Sequence, residues 1–255
     1  MNKKLFNCIR EGNTDKQLIV FPYLGGSANT LMGLMQAIKD NDVEIWAANP
    51  PGHIGSALAL EQDMNTLTDM YCSELKDIVK PECYLFGYSM GGNIIYFISQ
   101  KWEQNEMNRD WLKGLIISAS GPPCVMYHTK TSEQPTNVLL DNLTKYKALP
   151  EEVLESEEVM EMLLPIFRAD YRIIETGAEI KINKKSDIDH YLIWGDADPS
   201  LPVEDLSKWS KYFDKSGTVL PVRNGTHMFV HQNTDTVAQY VRNIFAGAYR
   251  SKDNV

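Results

Sequence analysis

One short segment restricts the fold of this chain more than any other. Gly87-Tyr88-Ser89-Met90-Gly91 follows an apolar run and precedes an apolar helical pattern. Glycines two positions either side of a serine are typical of a sharp strand-to-helix turn, because the backbone there approaches too closely for Cβ atoms. Residues 83–86 lack polar alternation, as a strand buried on both faces does. The segment predicts a nucleophile elbow at Ser89, with the Met90 N–H directed at the same point.

An acid and a histidine are expected downstream of such a serine, in that order. A second buried strand, near Leu192, is followed by a loop that holds Asp196 and Asp198. We predict that Asp198 is the acid, since it lies three residues past Gly195, which ends the strand. Asp196 is the alternative.

The histidine is predicted from a third buried strand, near Leu220. That strand leads into Gly225-Thr226-His227 just before the final helix. His227 is far enough after Asp198 for one helix and one strand, so we predict that it is the base. Ordinary surface or core roles are expected for His128, His190 and His231.

A second oxyanion donor is expected in the loop after an early strand near Ile19. Tyr23-Leu24-Gly25-Gly26 occupies that place. We predict that the N–H of Leu24 acts with that of Met90, and Tyr23 is the alternative donor. A Gly-Gly turn that binds no oxyanion is the other interpretation of this segment.

Apolar strands alternate with helical patterns along most of the chain, which predicts an α/β fold with a mostly parallel, doubly wound sheet. The strands are centred near Ile19, Ile45, Leu85, Leu115, Leu192 and Leu220. The helices are expected over residues 30–39 and 63–79, from Asn93 onward, around Trp209, and over residues 235–248.

Residues 122–186 interrupt the alternation with a polar, charged and helical pattern. We expect a single domain, residues 1–255, in which residues 122–186 form a helical lid inserted between the fourth and fifth predicted strands. A helix start is predicted after Pro150. Residues 160–167 are apolar except for Glu161, and we expect them either to line a substrate passage or to pack as ordinary core.

Composition limits the classes of partner. The chain has 255 residues, 43% of them hydrophobic, a net charge of −9 and a pI near 5.1, which argues against nucleic acid and anionic membranes as partners. Its four cysteines lack C-x-x-C spacing, so no metal cluster is expected. No signal peptide or membrane span is expected either, which together favours a cytoplasmic protein.

Motifs along nearly the whole chain resemble the type II, or external, thioesterases that accompany non-ribosomal peptide and polyketide synthetases. They are Phe21-Pro22-Tyr23-Leu24-Gly25-Gly26-Ser27-Ala28, Pro50-Pro51-Gly52-His53, Gly87-Tyr88-Ser89-Met90-Gly91-Gly92, Leu163-Leu164-Pro165-Ile166-Phe167-Arg168-Ala169-Asp170-Tyr171-Arg172, Gly195-Asp196-Ala197-Asp198-Pro199 and Gly225-Thr226-His227-Met228-Phe229. The resemblance implies an α/β-hydrolase fold. It also implies Ser89 as nucleophile, Asp198 as acid, His227 as base, and Met90 with Leu24 as oxyanion donors.

The chain departs from the family pattern at two places. Many members carry Tyr-Pro-Gly-Arg where this chain has Pro-Pro-Gly-His, ending at His53. The Pro-Pro-Gly-His tetrapeptide resembles the form seen in thioesterases that accompany bacillus-type lipopeptide synthetases. This resemblance points to a peptide assembly line. Leu24 stands where a smaller residue such as alanine is common, and we expect its larger side chain to narrow the acyl entrance.

The activity implied by the resemblance is hydrolysis of stalled or misprimed acyl groups on the phosphopantetheine arm of carrier domains. Carrier domains are then the partners, and the enzyme needs no cofactor or metal of its own. A monomer is expected. A general esterase or acyl hydrolase is the alternative, because the same triad cleaves esters and thioesters. A binding protein on a hydrolase scaffold is the alternative from another class.

Overall fold

A central β-sheet organises the protein. The computed structural model describes residues 4–40, 42–125, 130–145, 153 and 156–249, and every structural statement below concerns these residues. The strands are β1 (Phe6–Arg10), β2 (Lys16–Phe21), β3 (Glu44–Ala48), β4 (Glu82–Tyr88), β5 (Leu112–Ser118), β6 (His190–Gly195) and β7 (Thr218–Val222). They form one seven-stranded sheet in the order β1-β3-β2-β4-β5-β6-β7.

Every neighbouring pair in this sheet is parallel except β1 with β3. Leu85 of β4 lies opposite Ile19 of β2 and Leu115 of β5, at the middle of the sheet. The prediction of a mostly parallel sheet is confirmed. Strand β1 was not predicted, because at this edge only Phe6 of its five residues is buried, which leaves no apolar run in the sequence.

Helices connect the strands. They are α1 (Met32–Ala37), α2 (Met64–Ile78), α3 (Met90–Lys101), α4 (Thr136–Lys145), α5 (Glu157–Glu179), α6 (Val203–Leu206), α7 (Phe229–Gln232) and α8 (Thr234–Phe245). Helix α2 begins where predicted, since the carboxylate of Asp63 accepts the N–H of Thr66 at 2.8 Å and caps the helix.

Some predicted helix boundaries are wrong. Helix α1 is shorter than residues 30–39, because Thr30 N–H bonds Ser27 O in a turn before it and Ile38 leaves helical geometry at ψ 87°. Helix α3 begins at Met90 rather than Asn93. The helix expected around Trp209 is α6 followed by a 3₁₀ turn, Ser207–Lys211.

The core lies on both faces of the sheet. Helices α2, α3 and α5 bury apolar side chains against one face, and α1 and α8 do so against the other. Strand β4 serves both layers, because Leu85 belongs to the first cluster and Phe86 to the second. This placement explains why residues 83–86 show no polar alternation.

The segment between β5 and β6 contains α4 and α5, and none of its described residues belongs to a strand of the sheet. The helix start predicted after Pro150 lies outside the described residues except for Val153. Helix α5 is 23 residues long and is capped by Ser156, whose hydroxyl accepts the N–H of Val159.

Candidate active site

Ser89 lies at the turn between β4 and α3 with φ 52° and ψ −117°, a conformation that non-glycine residues rarely adopt. The turn requires glycine at its flanks. A Cβ on Gly91 would lie 2.5 Å from the carbonyl oxygen of Phe21, and one on Gly87 would collide with the backbone of Gly91. Close packing against β2 thus maintains the strained turn, as at many functional sites.

A continuous hydrogen-bonded chain runs from this serine through a histidine to a carboxylate. Ser89 Oγ lies 3.1 Å from His227 Nε2, and His227 Nδ1 lies 2.8 Å from Asp198 Oδ2. His227 follows β7, and Asp198 follows β6, so parallel strands deliver all three residues to the same sheet edge. The arrangement has the connectivity that activates a serine nucleophile.

Asp196, the alternative acid, lies elsewhere. It is exposed, and its Oδ1 accepts the N–H of Asn224 at 2.6 Å. Asp198 is buried beside His227. Burial opposes ionisation of Asp198, but hydrogen bonds from His227 and Ser200 outweigh it, and the pKa of Asp198 lies below its usual value.

Ser200 and Tyr88, which have no predicted role, contact residues of this hydrogen-bonded chain. The hydroxyl of Ser200 lies 2.6 Å from Asp198 Oδ1 and 3.0 Å from His227 Nδ1. The hydroxyl of Tyr88 donates to the carbonyl oxygen of His227 at 2.6 Å and accepts the N–H of Val230 at 3.2 Å. A hydroxyl two residues after the acid was the one signal in the sequence for Ser200.

The predicted oxyanion donors face the same space. Leu24 lies in a turn closed by the N–H of Gly26 and the carbonyl oxygen of Tyr23 at 2.8 Å. Met90 is the first residue of α3, where backbone N–H groups have no partner within the helix. Leu24, Met90 and Ser89 line one cavity. Tyr23, the alternative donor, lines it too, and its hydroxyl lies 3.0 Å from Nε2 of His231.

That cavity has a volume of about 460 Å³. Its apolar wall includes Val125, Leu143, Ile174, Leu201 and Met228. Residues 160–167 do not line it. Met160 and Phe167 from that segment are buried in the core, so the core interpretation applies to them. Residues 122–186 reach the cavity instead through Val125, Leu143, Tyr171 and Ile174.

Comparison with known proteins decides the family. The thioesterase domain model matches residues 16–245. The chain belongs to the thioesterase domain family. The predicted resemblance is therefore confirmed at the family level.

Two relatives of the chain carry names from biosynthetic pathways. A probable cadicidin biosynthesis thioesterase of Streptomyces griseus is 24% identical over 223 residues, which cover 87% of this chain and 60% of that protein. The gramicidin S biosynthesis protein GrsT of Aneurinibacillus migulanus is 21% identical over 247 residues, which cover 94% of this chain and 93% of that protein.

Solved structures establish the fold of this thioesterase. The type II thioesterase BorB from the borrelidin biosynthetic cluster has a TM-score of 0.80 at 23% identity, over 95% of this chain and 98% of that chain. ClbQ from the colibactin NRPS/PKS pathway has a TM-score of 0.79 at 22% identity, over 92% and 98%. The predicted α/β-hydrolase fold is confirmed.

A buried pair lies behind the Leu24 turn of this thioesterase. Asp170 Oδ2 lies 3.1 Å from His53 Nε2 and accepts the N–H of Gly25 at 2.6 Å. Asp170 is 0% exposed and His53 is 4% exposed. Both residues lie in motifs of the family resemblance, and neither side chain has a predicted role.

Of the other described histidines, His231 contacts Tyr23 at the edge of the cavity, and His190 lies in the core. His190 is buried and stacks on Phe213, and burial lowers the pKa of His190 to about 4. His128 lies outside the described residues. The cysteines Cys8, Cys72, Cys83 and Cys124 are free thiols.

Metal-ligand clusters and membrane-spanning helices are absent from the described residues. No group of three or more His, Cys, Asp or Glu side chains in these residues is placed to hold a metal ion. Across the same residues, no helix has both the length and the apolar composition needed to cross a bilayer.

Proposed function

We propose that this thioesterase hydrolyses acyl thioesters through an acyl-enzyme formed on Ser89. The observation that carries the proposal is the chain of hydrogen bonds from Ser89 Oγ through His227 to Asp198, at 3.1 and 2.8 Å, on the wall of an apolar cavity. A serine, a histidine and a buried carboxylate in this order supply a nucleophile, a general base and the group that orients the base.

Acylation begins when Ser89 Oγ attacks the thioester carbonyl and His227 Nε2 takes its proton. Asp198 accepts the Nδ1–H of His227, which holds the imidazole in the productive tautomer and stabilises it when it becomes positive. The N–H groups of Met90 and Leu24 receive the oxyanion. One such donor is worth about 3 kcal/mol of barrier.

The tetrahedral intermediate then collapses with cleavage of the carbon–sulfur bond, and the departing thiolate takes the proton from His227. Water enters, gives a proton to His227 and attacks the acyl-enzyme. The second tetrahedral intermediate uses the same oxyanion donors. Its collapse returns the proton to Ser89 Oγ and releases the carboxylic acid.

The substrate we propose is an aberrant or misprimed acyl group on the phosphopantetheine arm of a carrier domain in a non-ribosomal peptide or hybrid polyketide synthetase. The biosynthetic roles in the names of GrsT, BorB and ClbQ support this assignment. The arm belongs to the substrate, so the enzyme needs no cofactor of its own. It acts on carrier domains as a cytoplasmic monomer.

Hydrolysis of an acetyl-phosphopantetheinyl carrier domain tests the proposal, with acetyl-coenzyme A as the free thioester. Wild type is expected to release acetate rapidly from the carrier and much more slowly from the coenzyme, and Ser89→Ala is expected to release none from either. Equal rates on the two thioesters, or faster turnover of p-nitrophenyl esters, would identify a general acyl hydrolase.

Labelling with a fluorophosphonate probe separates these enzymes from a binding protein. The probe reacts with serines whose proton is taken by a neighbouring base. Wild type is expected to be labelled at Ser89, and Ser89→Ala is expected to stay unlabelled. An unlabelled wild type would identify a non-catalytic protein on this scaffold.

A further inference from the structure

The buried pair behind the Leu24 turn has the geometry of a charged imidazolium with a carboxylate. Nε2 of His53 faces the Asp170 carboxylate at 3.1 Å, and Nδ1 faces the carbonyl oxygen of Pro51 at 3.1 Å. Neither an ionised carboxylate nor a carbonyl oxygen donates a hydrogen, so both partners are satisfied when both ring nitrogens carry one. Burial opposes the charge on His53, but Asp170 and the hydrogen bonds outweigh it and raise the pKa of His53.

The Asp170 carboxylate depends on few partners. Oδ2 takes the N–H of Gly25 at 2.6 Å and faces His53, whereas Oδ1 is buried and has no hydrogen-bond partner among the described residues. A buried charge is costly unless it is paired and hydrogen-bonded. The Gly25 N–H is therefore held firmly, and any movement of that peptide would leave the carboxylate with one partner fewer.

Helix α5 contacts the same turn at a second point. Gly25 has φ +75°, and a Cβ on it would collide with the ring of Phe167. Phe167 and Asp170 are three residues apart on α5, so they lie on one face of the helix. The helix therefore sets the position of the turn both by packing and by a charged hydrogen bond.

We propose that Asp170 and His53 are positioning residues for the oxyanion hole. Asp170 fixes the peptide that joins Leu24 to Gly25, which keeps the adjoining N–H of Leu24 directed at the oxyanion formed on Ser89. His53 holds the Asp170 carboxylate in place and balances its charge. This inference rests on the proposed function only in that Ser89 forms a tetrahedral intermediate with some ester or thioester.

The position of Asp170 has a consequence for the insertion. Helix α5 lies within residues 122–186, whereas Leu24 and Gly25 follow β2. The Leu24 turn then keeps its geometry only while α5 packs against it. The seating of the insertion and the stabilisation of the transition state are thereby linked through one carboxylate.

Asp170→Asn tests the proposal, and Glu175→Gln is its matched control. Glu175 is a second buried carboxylate of α5, 5% exposed, and accepts the N–H of Ser132 at 2.9 Å and its hydroxyl at 2.6 Å, away from the Leu24 turn. Both substitutions remove one charge from the same helix and keep the side-chain shape. Circular dichroism establishes that each variant is folded.

Steady-state hydrolysis of p-nitrophenyl acetate is the readout, because any ester uses the same oxyanion donors. We expect Asp170→Asn to lower kcat by about tenfold or more with KM within about twofold, since the lost interaction acts in the transition state. Glu175→Gln is expected to keep kcat within about twofold. An unchanged kcat in Asp170→Asn, or an equal loss in Glu175→Gln, would overturn the positioning role.

His53→Gln provides a second variant should Asp170→Asn fail to fold. The amide donates a hydrogen bond without the positive charge, so a several-fold loss in kcat at constant KM is expected, and an unchanged kcat would overturn the proposal. Failure of the proposed function is distinguishable from either result. A wild type inactive on the carrier thioester but active on the ester would reject carrier editing and still allow the variants to be compared.

Discussion

At the scale of single residues, the two aspartates after β6 separate by environment. Asp198 is buried against His227, whereas Asp196 is exposed and caps the Asn224 N–H. We expect Asp198→Asn to lower kcat by about 10³- to 10⁴-fold, because the amide no longer favours the productive tautomer of His227. Asp196→Asn is expected to stay within about threefold of wild type in the same carrier hydrolysis assay. A larger loss of kcat in Asp196→Asn than in Asp198→Asn would mean that Asp196 is the acid.

Substitution of Ser200 is expected to have a smaller effect on catalysis than substitution of Asp198. Its hydroxyl lies 2.6 Å from the Asp198 oxygen that does not contact His227. Ser200→Ala removes a hydrogen bond to a charged group, so we expect kcat/KM to fall by about tenfold while Ser89 still reacts with a fluorophosphonate. A full loss of labelling would show that Ser200 does more than orient the acid.

These residues differ in how visible they are in the sequence. Ser89, Asp198 and His227 each follow a strong local pattern, a buried strand that ends in a glycine-containing loop, so their meeting at one sheet edge could be predicted. Asp170 bonds Gly25 across 145 residues and His53 across 117. No local pattern carries a pairing at that separation, because it depends on where α5 packs.

At the scale of elements, the contact between α5 and the Leu24 turn predicts opposite effects for two glycines. A Cβ at Gly25 would collide with Phe167 at φ +75°, whereas one at Gly33, exposed in α1, would meet nothing within 4 Å. Gly25→Ala is expected to destabilise the fold by more than about 1 kcal/mol. Gly33→Ala is expected to stabilise it by up to about 1 kcal/mol, through helix propensity.

Urea unfolding followed by circular dichroism measures both changes. Loss of p-nitrophenyl acetate hydrolysis is expected to accompany Gly25→Ala alone. Equal stability of the two variants would mean that Phe167 yields and that the turn is not fixed by α5.

The elements also show what limits prediction from this sequence. Strands such as β4, buried on both faces, give continuous apolar runs, and they were predicted correctly. Strand β1 lies at an edge and is half exposed, so its composition resembles a loop. Helix α1 was predicted too long because apolar residues continue past both ends, while turn hydrogen bonds before it and the extended ψ of Ile38 after it stop the helix.

At the scale of the whole molecule, the His53–Asp170 pair ties three distant parts of the chain into one buried unit: the turn after β2, the loop after β3 and helix α5. The buried hydroxyl of Tyr71 is a titratable group close to Asp170. Burial and the nearby Asp170 both raise the pKa of Tyr71, so it stays neutral at ordinary pH. The raised pKa of His53 makes the stability of this unit vary with pH.

The sign follows from the direction of the shift. The folded protein holds the His53 proton more tightly than the unfolded chain, in which the pKa is about 6.5. The pair therefore stabilises the fold fully below about pH 6.5, and this stabilisation is lost as the pH rises through the folded-state pKa.

The His53→Gln variant has no titrating side chain at this position. We expect the difference in unfolding free energy between wild type and His53→Gln, measured in urea at a series of pH values, to be greatest in mild acid and to shrink in alkali. A difference that stays constant with pH would mean that His53 is neutral in the folded protein and that Asp170 is held by hydrogen bonds alone.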